Sequence, residues 1–318
     1  MELLISMFPS ICLVASPIII CALGGIFSER CGIINIALEG MMLVGAFAGA
    51  TVCYFVEGID GISSYAPVFS IIAGMIAGGL FSLLLSVATI NFKADHTIAG
   101  TALNLLSLGL TVYLCQIIFK MQRTETFTKG ISKIKEIPIL SDIPVIGKMF
   151  VNIYPTIFLA VILVFVVQFV LFKTVFGLRL RSCGENPGAS ASMGIDVFKT
   201  RYIGVLISGS LAGIAGAAIV LTESTQFTIS AVHGIGFISI AAVIFGKWKP
   251  FGVLGAGMFF GLSSAIGVYA NGIPLLNLLP GEFFSVIPYV LTIVALILFS
   301  GKSIGPKAAG QIYDAGKR

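Results

Sequence analysis

The sequence has few charged residues. Asp, Glu, Lys and Arg make up 10% of its 318 residues, whereas hydrophobic residues make up 57%. In a soluble globular domain about a quarter of the residues are usually charged. The composition therefore excludes a soluble domain and indicates a polytopic membrane protein.

The sequence also lacks motifs for catalysis, metal binding and nucleotide binding. It contains only two histidines, no HExxH and no plausible Ser/His/Asp set. The GKS at 301–303 is not a phosphate-binding loop, because Leu296 occupies the position of its first glycine. Six cysteines form no CxxC pair, so neither a disulfide framework nor a zinc site is indicated. We therefore predict a protein that is not an enzyme and that binds no metal or cofactor itself.

The apolar runs predict an all-α fold of about nine transmembrane helices in a single domain over residues 1–318. A span needs about 20 apolar residues. Eight runs reach this length: 4–27, 33–56, 67–90, 97–119, 153–172, 202–222, 251–270 and 283–300. A ninth, 229–246, is interrupted by His233, Gly234 and Gly236, which predicts a broken helix. No Lys or Arg precedes the first run, which disfavours a cleaved signal peptide.

The distribution of Lys and Arg predicts the orientation. The connections 28–32, 91–96, 173–201, 247–250 and the tail 301–318 carry thirteen basic residues and would share one side. The other side would carry six, all in the loop 120–150. Because basic connections favour the cytoplasm, we expect an outside N-terminus, a cytoplasmic C-terminal tail and an extracytoplasmic loop 120–150. The basic residues form no patch interleaved with aromatics, so nucleic acid is not an expected partner.

The inner loop 173–201 carries the signals of a short surface helix. Asn186 is a suitable N-cap and Pro187 fits the first helical position. Gly194 can end a helix that runs from Ala189 through Ala191 to Met193. The pattern alone is equally compatible with a solvated turn and with a docking element for a cytoplasmic partner.

Two pairs of polar residues interrupt the apolar runs. Asn35 and Glu39 are four residues apart and are predicted to share a helix face. An ionised carboxylate in a span costs a few kcal/mol unless it is paired or hydrated. Glu39 could bind substrate along a transport path. Alternatively, it could have a structural role, either by accepting hydrogen bonds from N–H groups of the broken helix or by pairing with Arg30. Asn104 and Ser107 share a face of the fourth span and either form an interhelical hydrogen bond or line the path.

Trp248 lies between Lys247 and Lys249 in a short connection. An aromatic ring and two cations are favourable at the level of the lipid headgroups. This pattern predicts a membrane anchor.

Several segments together resemble the permease subunits of bacterial ABC importers for nucleosides and simple sugars, which are related to the ribose and branched-chain amino-acid permeases. They are SERCGIINIALEGMMLVGAF, DHTIAGTALNLLSLGL, CGENPGASASMGI, ISGSLAGIAGA, GFISIAAVIFGKWKPFG and IPYVLTI. The ERCGIINxxxEG form is similar to the nucleoside branch. No GIDLSVG-like sequence of the ribose type is present.

The resemblance implies a multi-pass protein of the bacterial inner membrane with several partners. These are a second permease, identical or different, a cytoplasmic ATPase that binds ATP and Mg²⁺, and an extracytoplasmic solute-binding lipoprotein. It also implies that residues 183–195 dock on the ATPase. The competing hypothesis is a secondary transporter that is driven by an ion gradient and uses Glu39 as the coupling carboxylate.

Overall fold

The computed structural model describes residues 2–135, 151–269 and 305–314, together with the isolated positions 147, 286, 290, 293 and 294. The described part contains ten α-helices and no β-strand, apart from one isolated bridge between Ile134 and Ile153. The predicted all-α fold is confirmed.

The helices are numbered in chain order. They are α1 (Glu2–Arg30), α2 (Leu38–Glu57), α3 (Ala66–Ser86), α4 (His96–Phe119), α5 (Thr156–Lys173), α6 (Val175–Glu185), α7 (Pro187–Ser192), α8 (Val197–Ile219), α9 (Ile235–Phe245) and α10 (Pro250–Tyr269). A 3₁₀ turn, Ser63–Tyr65, precedes α3. The π-helical segments Val87–Asn91 and Val220–Ser224 extend α3 and α8.

Seven of the described helices are long and apolar enough to cross a membrane: α1, α2, α3, α4, α5, α8 and α10. The interrupted run 229–246 forms a loop followed by α9, which has only 11 residues. The predicted break at Gly234 is confirmed, but residues 229–234 are not helical, so only the second part of the run forms a helix. The predicted span 283–300 lies largely outside the described residues.

The helix bundle has two ends, which we name by a residue at each. At the Arg30 end, α1, α6 and α9 finish and α4 and α8 begin, and the backbone of Gly184 lies against the Arg30 carbonyl. At the Glu57 end, the Glu57 carboxylate accepts hydrogen bonds from the backbone N–H groups of Thr128 and Lys129. The sidedness of these ends in the membrane remains the prediction made from the basic residues.

Close backbone packing joins α2, α3 and α8. Gly45, Gly74 and Gly213 meet at one point, where a Cβ atom on Gly213 would overlap the carbonyl group of Gly74. A Cβ atom on Gly216 would likewise overlap the Met42 carbonyl. Small residues are common where membrane helices approach closely, because dispersion contacts between backbones replace the hydrophobic driving force that lipid does not supply.

The outer faces of α3, α4 and α5 carry exposed large apolar side chains, such as Leu80, Ile117 and Phe169. In a water-soluble protein, such apolar faces would be buried against another part of the protein or against a partner. In a membrane they are compatible with contact to lipid or to another membrane subunit.

The connection 173–201 is more helical than predicted. The short helix α7 is confirmed: the Asn186 side chain accepts the Ala189 N–H at 3.0 Å, Pro187 is the first residue, and Gly194 ends the turn at φ +79°. Helix α6 was not predicted; within it Leu180 and Cys183 are buried while Leu178 is exposed. The short apolar stripe of α6 lies against the bundle and is interrupted by charges, so it lacks the signal of a span.

Replacing Gly213 with alanine should lower the free energy of unfolding by about 1–3 kcal/mol, because neither backbone can move aside for the new methyl group. Gly109 provides the matched control, since a Cβ atom added there would have no other atom within 4 Å. Gly109→Ala should be neutral or slightly stabilising. Thermal unfolding of the purified proteins in one detergent checks both, and equal melting temperatures would contradict the packing argument.

Candidate functional site

The chain between α1 and α2 is not helical at residues 31–37. Gly32 adopts a left-handed conformation, φ +97°, and the Asn35 Oδ1 accepts the Ala37 N–H at 3.1 Å. Such a local side-chain bond competes with helix formation and delays the helix until Leu38. The prediction that Asn35 and Glu39 share a helix face is therefore wrong. Asn35 is buried and donates instead to the Ser208 hydroxyl of α8 at 2.9 Å.

Asn104 of α4 forms hydrogen bonds with backbone groups that have no helical partner because of this break. Its Oδ1 accepts the Gly40 N–H at 2.8 Å, and its Nδ2 donates to the Ile36 carbonyl at 3.0 Å. The first N–H groups of a helix have no partner within the helix, and no water is available in the bilayer core. The predicted interhelical hydrogen bond of Asn104 is confirmed. Ser107 donates to the Asn104 carbonyl of its own helix at 2.7 Å.

Glu39 occupies the first turn of α2 and binds the beginning of the half-length helix α9. Its two carboxylate oxygens accept the N–H groups of Gly234 at 2.9 Å and Gly236 at 2.7 Å. A helix N-terminus has unpaired N–H donors and a partial positive charge, which favours a carboxylate there. The structural interpretation of Glu39 through the broken helix is confirmed. Pairing with Arg30 is not observed, since the Arg30 guanidinium donates to the Trp248 carbonyl.

A cavity of about 410 Å³ lies between α2, α4 and the beginning of α9. Its lining residues are Glu39, Leu43, Thr101, Asn104, Leu105, Ser107, Leu108, Ile229 and Phe237. Glu39, Asn104 and Ser107, which were predicted to border a path, lie together here, whereas Asn35 does not. The lining is mostly apolar with a few polar groups, as is common in ligand sites.

Several lining residues of this cavity were not predicted. Thr101, Leu105 and Leu108 follow the helical spacing around Asn104, so the face of α4 could have been extended from that residue. Ile229 and Phe237 come from the interrupted run 229–246, whose contact with Glu39 is a tertiary feature that no local sequence pattern indicates.

A second cavity, of about 680 Å³, opens at the Glu57 end. It is lined by Met121, Gln122, Arg123, Thr228, Ile229 and Ser230. Ile229 borders both cavities and thus lies between them.

Backbone pairing joins the segment after α4 to the segment after α8, and both segments contribute lining residues to this second cavity. Phe127 N–H donates to the Thr225 carbonyl at 3.0 Å, and Ile131 N–H donates to the Leu221 carbonyl at 2.9 Å. The segment after α4 thereby fixes the position of the segment that leads to Gly234.

At the Arg30 end, Trp248 is buried, with 9% of its surface exposed, and its Nε1 donates to the Glu29 carboxylate. The prediction that Trp248 anchors the protein at the headgroups is therefore wrong. Lys247 and Trp248 both adopt left-handed conformations, φ 52° and 53°, and this tight turn directs the ring inward. A buried indole N–H needs an acceptor, and Glu29 provides it.

Two ionisable groups of the connections have shifted pKa values. Backbone hydrogen bonds from Ile98 and Thr97 hold the pKa of Asp95, the N-cap of α4, below its usual range. Burial raises the pKa of the Cys183 thiol. Cys183 is thus protonated and packs like a small apolar side chain. Among the described residues, no group of three or more His, Cys, Asp or Glu is arranged to hold a metal ion.

The hydrogen bonds between Glu39 and α9 should contribute to the free energy of unfolding. Glu39→Gln keeps one acceptor and turns an NH₂ group toward a backbone N–H, so it should cost about 1–3 kcal/mol of unfolding free energy. Glu39→Leu leaves both N–H groups unpaired and should cost more. The matched control, Asp60→Asn, changes an exposed carboxylate and should leave the melting temperature unchanged. Equal effects of Gln and Leu would contradict the hydrogen-bond role.

Comparison with known proteins identifies the family of this chain. Residues 7–296 match the family model for the permease component of the branched-chain amino acid transport system. The chain is 44% identical over 318 residues to the guanosine ABC transporter permease protein NupQ of Bacillus subtilis strain 168, covering 100% of this chain and 99% of NupQ.

Two further relatives match almost as completely. The nucleoside ABC transporter permease protein NupC of Lactococcus lactis subsp. cremoris strain MG1363 is 43% identical over 311 residues, covering 95% of each chain. The putative glucose ABC transporter permease protein TsgC13 of Haloferax volcanii is 31% identical over 302 residues, covering 89% of this chain and 88% of TsgC13. The chain therefore belongs to the family of branched-chain amino acid transport system permease components, and it is a multi-pass transport subunit of an ABC transporter rather than an enzyme.

Proposed function

We propose that this chain is the permease subunit of an ATP-driven importer that carries nucleosides across the membrane. The observation that carries the proposal is the similarity along the whole chain to permeases named for guanosine and for nucleosides. The more distant similarity to a permease named for glucose makes a simple sugar the second candidate.

The cavity beside Glu39 is compatible with a nucleoside as a passing solute. A nucleoside is uncharged, with a flat base and a ribose that carries hydroxyl groups. Phe237 offers an apolar ring, and Glu39, Asn104 and Ser107 offer a few polar atoms. Glu39 and Asn104 already bind backbone groups, which leaves them little capacity for tight binding. Weak affinity suits a membrane path whose solute is captured elsewhere.

The two cavities support a direction for the path. Solute would enter the larger cavity at the Glu57 end, pass Ile229 and reach the cavity beside Glu39. This requires the Glu57 end to face outside and the Arg30 end to face the cytoplasm, as the basic residues predict. An extracytoplasmic solute-binding lipoprotein would then dock at the Glu57 end.

The short helix α7 would dock on the cytoplasmic ATPase, which binds ATP and Mg²⁺. Met193, next to α7, has 82% of its surface exposed, although it is a large apolar side chain. A shallow cavity of about 260 Å³ beside it is lined by Ser182, Glu185, Asn186, Ala189, Ser190, Met193 and Ile195. Exposed apolar groups beside a concave surface are typical of a protein contact. A second permease, identical or different, would complete the membrane part.

The secondary-transporter hypothesis is contradicted by membership of an ABC permease family. The carboxylate that it assigned to ion coupling binds the N-terminus of α9 through both oxygens. These bonds explain why the chain keeps Glu39 without invoking an ion.

Reconstitution tests the proposal. Proteoliposomes that contain this chain, a second permease and the ATPase, supplied with the binding protein, should take up radiolabelled guanosine only when ATP is present. Unlabelled nucleosides should compete, whereas ribose and glucose should not. Omission of the ATPase is the control. Uptake by this chain alone under an imposed ion gradient, or equal competition by glucose, would refute the proposal.

The N-cap of α7 should matter for solute-stimulated ATP hydrolysis. Asn186→Ala removes the acceptor of the Ala189 N–H, which costs a helix about 1 kcal/mol. Because α7 has only six residues, its shape should be lost and stimulation should fall. Asn186→Ser keeps a capping oxygen and should retain most of the stimulation. If both variants behave as the wild type in an ATPase assay of the reconstituted transporter, α7 is not the coupling element.

A further inference from the structure

The segment 305–314, which we call the C-terminal strap, lies across the connections at the Arg30 end. Gly305 lies against the ring of Trp248 in the α9–α10 turn. At the other extremity, Asp314 forms a 2.9 Å ion pair with Lys93 in the α3–α4 connection. Between these points, Ala308 is buried, with 2% of its surface exposed. The strap is therefore seated on the bundle along its length.

The middle of the strap binds two backbone carbonyls that belong to different functional elements. Ala308 N–H donates to the Gly184 carbonyl at 2.8 Å, near the end of α6 and two residues before the N-cap of α7. Gly310 N–H donates to the Gly32 carbonyl at 3.0 Å, at the beginning of the non-helical break before α2. Gly310 has φ +78°, a conformation that favours glycine. Three residues of strap thus join the end of α6 to the break.

Arg201 of α8 ties the strap to the same break. Only 2% of its surface is exposed, its Nε donates to the Cys31 carbonyl at 3.2 Å, and its Nη1 donates to the Gln311 carbonyl at 3.3 Å. The Tyr313 ring lies 5.9 Å from the guanidinium carbon and also contacts Phe198. A buried cation is costly without hydrogen-bond acceptors, so the strap stabilises Arg201 in this position.

The break that the strap holds leads directly to the cavity. Asn35 within it binds Ser208 of α8, and Glu39 just beyond it binds the beginning of α9. A displacement of α6 that carries Gly184 along would have to carry Gly32 as well, or break the two strap hydrogen bonds. A segment with short bonds to both sides transmits displacement in this way.

We propose that the C-terminal strap couples α6 and α7 to the break before α2, so that movement imposed at α7 reaches the cavity beside Glu39. This rests on the proposed docking of α7 on an ATPase. The strap acts as a positioning element and touches no solute. A permease whose strap is detached still assembles with its partners and allows basal ATP hydrolysis, but solute no longer stimulates it.

Two variants remove the strap in different ways. One lacks residues 305–318, and the other is Ala308→Arg, which places a charged side chain in a buried position. The matched control, Ile312→Arg, adds the same charge to the same segment at a side chain that is 50% exposed. Trp248 is the only tryptophan of the chain, so its emission in the purified full chain reports whether Gly305 covers the ring.

The decisive measurement is the ratio of solute-stimulated to basal ATP hydrolysis in the reconstituted transporter. In the two strap variants, Trp248 emission should shift to longer wavelengths and the ratio should fall about fivefold or more, the lower range of coupling between two sites. Ile312→Arg should match the wild type. A wild-type ratio in a variant whose strap is detached overturns the proposal; so does a loss of partner assembly in both variants, since the strap would then be structural. Failure of the wild type itself to show ATP-dependent uptake would count against the proposed function, not against the strap.

Discussion

The arrangement of the site depends on one constraint: a backbone that leaves the helical conformation inside a membrane must find hydrogen-bond partners within the protein. Two interruptions, before α2 and before α9, face each other here. Glu39, just after the first, accepts N–H groups of the second, and Asn104 of α4 binds one backbone group within the first and one at the beginning of α2. Because each interruption is completed by its neighbours, the space between them persists as a cavity without exposing unpaired polar backbone.

The fold could largely be predicted from the sequence, because the length of apolar runs and the glycines that interrupt them are local signals. The break before Ile235 and the capped helix after Asn186 were predictable from such local signals. The start of α2 could not be located, because the competing bond from Ala37 N–H to Asn35 depends on a buried tertiary setting. The burial of Trp248 could not be predicted for a similar reason, since it requires Glu29 of α1 as the acceptor of the indole N–H.

The candidate site was only partly predictable. Polar residues inside apolar runs identified Glu39, Asn104 and Ser107, because a buried polar group always needs an explanation. The contributions of Ile229 and of the C-terminal strap were invisible in the sequence. The strap binds through backbone N–H and C=O groups, which every residue other than proline carries, so no side-chain pattern marks the residues involved.

The contact of Gly45, Gly74 and Gly213 also limits which parts of the bundle can slide. Backbone lies directly on backbone there, and no side chain can change rotamer to admit a shift. The three helices α2, α3 and α8 should consequently behave as one rigid body during a transport cycle. On the opposite side of α2, α4 is bound through Asn104 and a cavity opens beside Glu39, so we expect the protein to open on that side. A rearrangement on that side requires only the exchange of a few hydrogen bonds, whereas one on the glycine side would require the separation of three backbones.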